Sequence, residues 1–139
     1  MEITRALSIR QPWCWLIMQG LKDIEIRSWT TPFRGFFAIH ASKIFDEEAF
    51  SYLNEILSIP EMEEYPMGVI VGYAYLFDVK EFKDKDAFVL FKDRHLNNPD
   101  WWEPSKVGFV LQEITSLPPF VSKGKLGLYS LKNPLHIET

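Results

Sequence analysis

The segment most informative about the fold runs Gly20-Leu21-Lys22-Asp23-Ile24-Glu25-Ile26-Arg27. Between residues 23 and 29 apolar and polar side chains alternate, with Ile24 and Ile26 on one side and Glu25 and Arg27 on the other. Strict alternation is typical of a half-buried β-strand. The stretch therefore predicts a strand that carries charged side chains along one face.

The segments on either side of this strand extend the prediction. Upstream, Pro12 suits the start of a short helix and Gly20 suits its end. Downstream, residues 35–41 form a second predicted strand, and a turn around Pro32 separates it from the first. We expect these two neighbouring strands to pair as a hairpin. A clear helix follows, with Asp46 as its N-cap and Pro60 just beyond its end.

The second half of the chain predicts more strands. Residues 68–79 are rich in β-branched and aromatic side chains, and Gly72 in their middle indicates a bend or bulge. A short helix is predicted over 87–95, with further strands over 108–115 and 126–131. The prediction is an α+β, mainly β fold: a small mixed β-barrel of five or six strands with two or three short helices, because closure removes exposed sheet edges.

Length and composition limit the class of protein. The chain has 139 residues, is 47% hydrophobic and holds a single cysteine, Cys14. We expect one domain over residues 1–139 with no disulfide, in a reducing, cytoplasmic compartment. No stretch approaches the ~20 apolar residues of a membrane span. His40, His95 and His136 lack the spacing of metal ligands, so we expect neither a metal nor another cofactor.

Charge is distributed unevenly along the chain. The net charge is −4, yet residues 1–45 hold six basic against three acidic residues. Residues 46–66 hold seven acidic residues and no basic one. The basic third can attract an anion locally, whereas the acidic segment argues against indiscriminate binding to duplex phosphates. Oligomeric state is left open by these observations.

Lys22, Glu25 and Arg27 form the densest polar cluster of the sequence. Together they offer donors and an acceptor for the edge of a nucleobase, and positive charge for a phosphate. The same spacing also fits an ordinary solvated strand face with a weak ion pair. Spacing alone leaves both interpretations open.

Two further groups of side chains are candidates for ligand contacts. Arg10, Gln11 and Trp13 flank the start of the first helix and can form a wall for stacking and hydrogen bonding, although Trp13 also suits a core position. At the end of the second strand, His40 and Ser42 share a face next to Lys43. A histidine there can act as a base or donor, or can be a satisfied structural residue.

The ordered motifs resemble those of the ASCH domain family, which is related to the PUA RNA-binding fold. In chain order they are Leu7-Ser8-Ile9-Arg10-Gln11-Pro12-Trp13, Gly20-x-Lys22-x-x-Glu25-x-Arg27, the strand from Gly35 that ends in His40-Ala41-Ser42-Lys43, Phe109-Val110-Leu111, Pro118-Pro119 and Gly127-Leu128-Tyr129. The resemblance implies a PUA-like barrel with a cleft floored by Lys22, Glu25 and Arg27, and a role in RNA-related processes.

The resemblance also raises the question of catalysis. Some small bacterial members hydrolyse the amide of N4-acetylcytidine with the motif lysine and a threonine, aided by a glutamate elsewhere in the barrel. Lys22 matches that lysine, but Glu25 stands in place of the threonine. A carboxylate cannot act as that hydroxyl, although it can serve as general base for a water beside Lys22. Lys22 and Glu25 are thus the candidate catalytic pair.

Three functions follow as hypotheses. The leading one is a module that binds RNA or a nucleotide in the cleft, through Lys22, Glu25, Arg27 and the flanking groups. The second is a hydrolase that acts on RNA or acylated nucleosides. The third is a protein-interaction domain that docks a basic partner on the acidic segment 46–66.

Overall fold

A computed structural model describes residues 1–138 of the chain. Within that range the fold has six strands and four short helices. In chain order these are β1 (Glu2–Ile9), α1 (Trp13–Met18), β2 (Ile24–Arg27), β3 (Gly35–Ala41), α2 (Glu47–Ile56), β4 (Val69–Glu81), α3 (Lys85–Leu90), α4 (Lys92–His95), β5 (Val107–Val121) and β6 (Leu128–His136), with 3₁₀ turns at Met62–Glu64 and Pro99–Trp101. The predicted α+β, mainly β fold is confirmed. The predicted helix over 87–95 is divided in two at Phe91.

The strands form one mixed sheet in the order β2-β5-β4-β3-β1-β6. All neighbouring pairs are antiparallel except β1 and β3, which run parallel. Parallel strands need a crossover connection, and here α1 and β2 lie in the chain between them. The carboxyl ends of β1 and β3 therefore meet at the same edge of the sheet.

The predicted hairpin between β2 and β3 is wrong. β2 pairs with β5, whereas β3 lies between β1 and β4. The intervening residues 28–34 are no tight turn. They are stabilised by bonds among themselves, with Phe33 N donating to Thr31 Oγ1 and Arg34 Nη1 donating to the Thr31 carbonyl. The loop thus carries the chain from one edge strand to the middle of the sheet.

Strand β4 has the predicted irregularity at Gly72. The pairing register with β5 shifts between Ile70 and Gly72, as expected of a bulge. A Cβ on Gly72 would lie 2.2 Å from the main-chain oxygen of Thr115. Glycine at this position therefore lets the backbones of β4 and β5 approach each other closely.

The closing strands are longer than predicted. Strand β5 continues past Pro118 and Pro119 to Val121. Its ladder partners on either side of the prolines are Ser116 and Phe120, so the prolines lie where the ladder is interrupted and no N–H is needed. Strand β6 extends to His136 and pairs with β1.

Two clusters of apolar side chains hold the sheet together. In the larger one, α1 and α2 pack on the sheet, and its fully buried members include Ile9, Leu16, Phe37, Leu53 and Phe109. The smaller cluster is built around Ile3, Ala38, Ile70 and Tyr129. Together the two clusters hold in place the strands and helices that line the polar cleft.

Candidate ligand-binding cleft

A cleft of about 870 Å³ opens at the edge where β1 and β3 end. Its lining comes from the ends of these two strands, the start of α1, strand β2 and the segment 121–127. Seven of the side chains predicted for the site lie along it: Arg10, Trp13, Glu25, Arg27, His40, Ser42 and Lys43. Residues that are more than thirty positions apart in the sequence are thus brought to one concave surface.

Gln11 does not line the cleft. Its side chain is 1% exposed, and both ends of its amide are bonded within the protein. Nε2 donates to the Pro66 carbonyl at 3.0 Å, and Oε1 accepts from the Trp15 N–H at 2.8 Å. Gln11 therefore ties the start of α1 to the segment that leads into β4.

Lys22 does not line the cleft either, because its side chain is fully buried. Its Nζ donates to the carbonyls of Ile24 at 2.8 Å and His95 at 2.6 Å, and lies 3.5 Å from Glu25 Oε1. An ammonium has three donors, and these three oxygens account for them. Burial lowers the pKa of Lys22 from 10.5 to about 8, although the Glu25 carboxylate favours the charged form.

Glu25 and Arg27 form a rigid pair on the cleft floor. Arg27 Nε donates to Glu25 Oε2 at 3.0 Å, and Arg27 Nη2 donates to the Ser8 carbonyl at 2.8 Å. A continuous chain of polar contacts therefore runs from buried Lys22 through Glu25 and Arg27 to β1. Charge-assisted bonds of this length fix the orientation of the guanidinium and the carboxylate.

Aromatic side chains and cations complete the walls. Trp13 is 8% exposed, and its Nε1 donates to Asp46 Oδ2 at 3.0 Å. Trp29 is half-buried, with its ring against Phe109 at a centroid distance of 5.0 Å. Among residues 1–138, six cations line the cleft against two carboxylates, Glu25 and Asp46. A chain of net charge −4 thus presents a cationic surface here.

Several lining residues were not predicted from the sequence. They are Ser8, Trp29, Lys106 and the segment Ser122-Lys123-Gly124-Lys125-Leu126. Two lysines flanking a glycine are a recognisable signal for an exposed cationic turn. Nothing local in the sequence shows that this turn returns to the end of β3.

The two histidines of the interior predict how stability depends on pH. His95 Nε2 lies 2.7 Å from the Phe88 carbonyl, and His95 Nδ1 accepts from the Asn97 N–H. The Nδ1 contact requires a neutral ring, because only an unprotonated Nδ1 can accept, and burial lowers the pKa of His95 from 6.5 to about 4. Burial also lowers the pKa of His40.

As pH falls below 6.5, these histidines therefore bind protons in the unfolded chain but stay neutral in the native chain. We expect the free energy of unfolding to fall by about 2 kcal/mol for His95 alone between pH 7.5 and pH 5. Urea titrations followed by tryptophan fluorescence at the two pH values measure this change. A flat profile over this range contradicts the proposed neutral rings.

The remaining expectations from the sequence concern membrane spans, metal sites and the acidic segment. No helix within residues 1–138 is long and apolar enough to cross a membrane. No group of three or more His, Cys, Asp or Glu side chains in that range is placed to hold a metal ion. The acidic residues of segment 46–66 lie mostly exposed on α2 and the turn after it, so their role as a docking surface stays a prediction.

The sheet and the cleft define a small, mainly β domain with a cationic, aromatic-lined pocket. The family model of the ASCH domain matches residues 7–118, and the chain belongs to the ASCH domain family. Activating signal cointegrator 1 of Homo sapiens is 33% identical over 89 residues, and the Mus musculus protein of that name is 32% identical. The match covers 57% of this chain and 15% of the length of each relative.

Solved structures show the same fold. The crystal structure of ASCH from Zymomonas mobilis superposes with a TM-score of 0.64 at 16% sequence identity, covering 92% of this chain and 87% of that one. Two substitution variants of the Zymomonas protein match with TM-scores of 0.64 and 0.62. The family and the PUA-like fold predicted from the motifs are confirmed.

Proposed function

We propose that the cleft binds a short stretch of single-stranded RNA, or a nucleotide, and that this is the function of the domain. The observation that carries the proposal is the combination, in one pocket, of six cations, two tryptophans and a fixed donor–acceptor pair. Cations match phosphates, aromatic rings offer surfaces for base stacking, and polar side chains can read base edges. A volume of about 870 Å³ has room for more than one nucleotide-sized group.

The proposed roles of the residues in the cleft follow from how exposed each side chain is. Arg10, Lys43, Lys123 and Lys125 are exposed around the rim, where they can reach phosphates. Glu25 and Arg27 lie deeper and are held by each other, which suits recognition of a base edge. Lys22 contributes by fixing Glu25 from behind. It also lacks a free donor for a substrate, which counts against Lys22 and Glu25 as a catalytic pair.

The proposal predicts a specific loss of affinity when the rim loses charge. Replacing Lys123 and Lys125 together by alanine should weaken binding of a fluorescent single-stranded RNA at least tenfold at low salt, because two phosphate contacts disappear. The slope of log K against log salt should become shallower by about 1.4, at roughly 0.7 per contact for a single strand. Fluorescence anisotropy at several salt concentrations measures both quantities.

The matched control removes the same charge elsewhere. Lys83 and Lys85 are exposed, have the same i, i+2 spacing and lie outside the cleft. Their double alanine variant should bind RNA as the wild type does. Equal losses in the two double variants would mean that net charge, and not the cleft, governs binding, and would overturn the proposal.

The human and mouse relatives carry the name activating signal cointegrator 1, and that name is the reason to retain the third hypothesis, a protein-interaction domain. For this chain, we also propose a protein partner docked on segment 46–66 and a cytoplasmic location. Reversing the charges of Glu47 and Glu55, both exposed on α2, should leave RNA affinity unchanged if the acidic face serves a different partner.

A further inference from the structure

Ser8 and His40 meet within the cleft through the parallel pairing of β1 and β3. The two residues are direct partners in the ladder, so their side chains lie on the same face of the sheet. Ser8 Oγ is 2.9 Å from His40 Nδ1. Both residues line the cleft, with Ser8 half-buried and His40 2% exposed.

The second nitrogen of His40 fixes the direction of this hydrogen bond. His40 Nε2 lies 2.7 Å from the main-chain oxygen of Ser122, which can only accept. Nε2 therefore carries the proton, and Nδ1 of the neutral ring presents a bare lone pair. Ser8 Oγ–H must then be the donor. The arrangement is a hydroxyl bonded to a base whose other nitrogen is oriented by a third group.

The neutral ring is also the form that burial favours at His40. Desolvation lowers its pKa below 6.5, and the charge of Lys43 acts in the same direction, whereas the bond to Ser122 favours the proton. The base is therefore free to accept a proton at neutral pH.

Arg27 and Gly124 hold the Ser8–His40 pair in place from two sides. The Arg27 guanidinium, which is paired with Glu25, donates to the main-chain carbonyl of Ser8 at 2.8 Å and holds this end of β1 in place. Gly124 faces the pair from the segment 121–127. A Cβ at position 124 would lie 2.8 Å from Ser8 Oγ and 2.4 Å from His40 Cε1. Only glycine at this position leaves the hydroxyl and the ring in place.

We propose that Ser8 is a nucleophile and His40 its general base, acting on carboxylic esters bound in the cleft. Ser8 Oγ forms a bond to the acyl carbon while its proton moves to His40 Nδ1. The ester C–O bond then breaks, and the leaving alcohol takes the proton from Nδ1. Water, deprotonated by His40 Nδ1, then attacks the acyl carbon. The bond from that carbon to Ser8 Oγ breaks, Ser8 Oγ takes the proton back from Nδ1, and the carboxylic acid is released. The inference rests on the cleft as the ligand site, but not on RNA as the ligand.

A fluorophosphonate probe tests the nucleophile directly, because it labels a serine activated by a neighbouring base. We expect the wild type to gain one probe mass, mapped to Ser8 by peptide mass spectrometry. Ser8→Ala should not label, and His40→Gln should label at least 100-fold more slowly. Ser51→Ala is the matched control, because Ser51 is exposed on α2 outside the cleft and its loss should not alter labelling.

The labelling rate gives a second measurement that a purely structural bond would not move. It should rise with pH through the titration of His40, at a midpoint below 6.5, and then level off. An unlabelled wild type, a label on another serine, or an unchanged rate in His40→Gln would each overturn the proposal. RNA affinity measured on the same samples separates the two ideas: binding without labelling removes the nucleophile alone, and labelling without binding removes the RNA proposal alone.

Discussion

Replacing Lys22 by methionine is expected to destabilise the fold by about 3 kcal/mol, the order found when one partner of a buried charged pair is removed. Methionine fills a similar volume but donates nothing to the carbonyls of Ile24 and His95. Glu25 also loses the ammonium 3.5 Å from its Oε1. Urea unfolding followed by tryptophan fluorescence measures the loss.

Lys43→Met provides the comparison. This lysine is exposed on the cleft rim, and its replacement should change stability by less than about 0.5 kcal/mol. If the two variants proved equally stable, the inference that the buried bonds of Lys22 stabilise the fold would be wrong. The contrast also matters for binding experiments. If a Lys22 variant lost affinity, the first explanation would be a destabilised fold and not the loss of a direct contact with the ligand.

Gly72→Ala is expected to cost about 3 kcal/mol, at the upper end of what overpacking costs in a well-packed core. The new methyl group would lie 2.2 Å from the Thr115 oxygen and 2.6 Å from Met18 Cε. The methionine side chain can move aside. The backbone oxygen cannot, so strands β4 and β5 must separate locally.

Gly20→Ala is the comparison variant, because it introduces backbone strain without a steric clash. Gly20 has a φ of +77°, yet a Cβ there would meet nothing within 4 Å. We expect a cost of about 1 kcal/mol for the left-handed backbone alone. Thermal unfolding of both variants ranks them, and a Gly72→Ala variant no less stable than Gly20→Ala would contradict the close approach of the two strands.

The strands themselves could be predicted because their signals are local. Alternation around Ile24 and a β-branched, aromatic run around Gly72 each reflect the period of an extended chain. The pairing of β2 and β3 was predicted wrongly because proximity in sequence was the only guide. The actual partner of β2 is β5, about eighty residues away, and no local pattern specifies that choice.

The candidate site, like the strands, could be predicted only where its signals are local in the sequence. Glu25 and Arg27 share a face, as their spacing indicates, and their motif placed them near Lys22. The burial of Lys22 was not predictable, since one of its acceptors is the carbonyl of His95, 73 residues further along the chain. Likewise, Ser8 and His40 are adjacent only because β1 and β3 run parallel, and that register is a property of the assembled sheet.

The pairing of β1 with β6 has a consequence for how the chain is made. Strand β1 leaves the ribosome before the other strands of the sheet, but one of its two partners spans residues 128–136. Until that segment is synthesised, β1 keeps an unpaired edge, which is a template for non-native association. Chaperone demand during synthesis should therefore persist until the β6 segment has left the exit tunnel. Ribosome-bound chains arrested before residue 128 are the species in which to look for it.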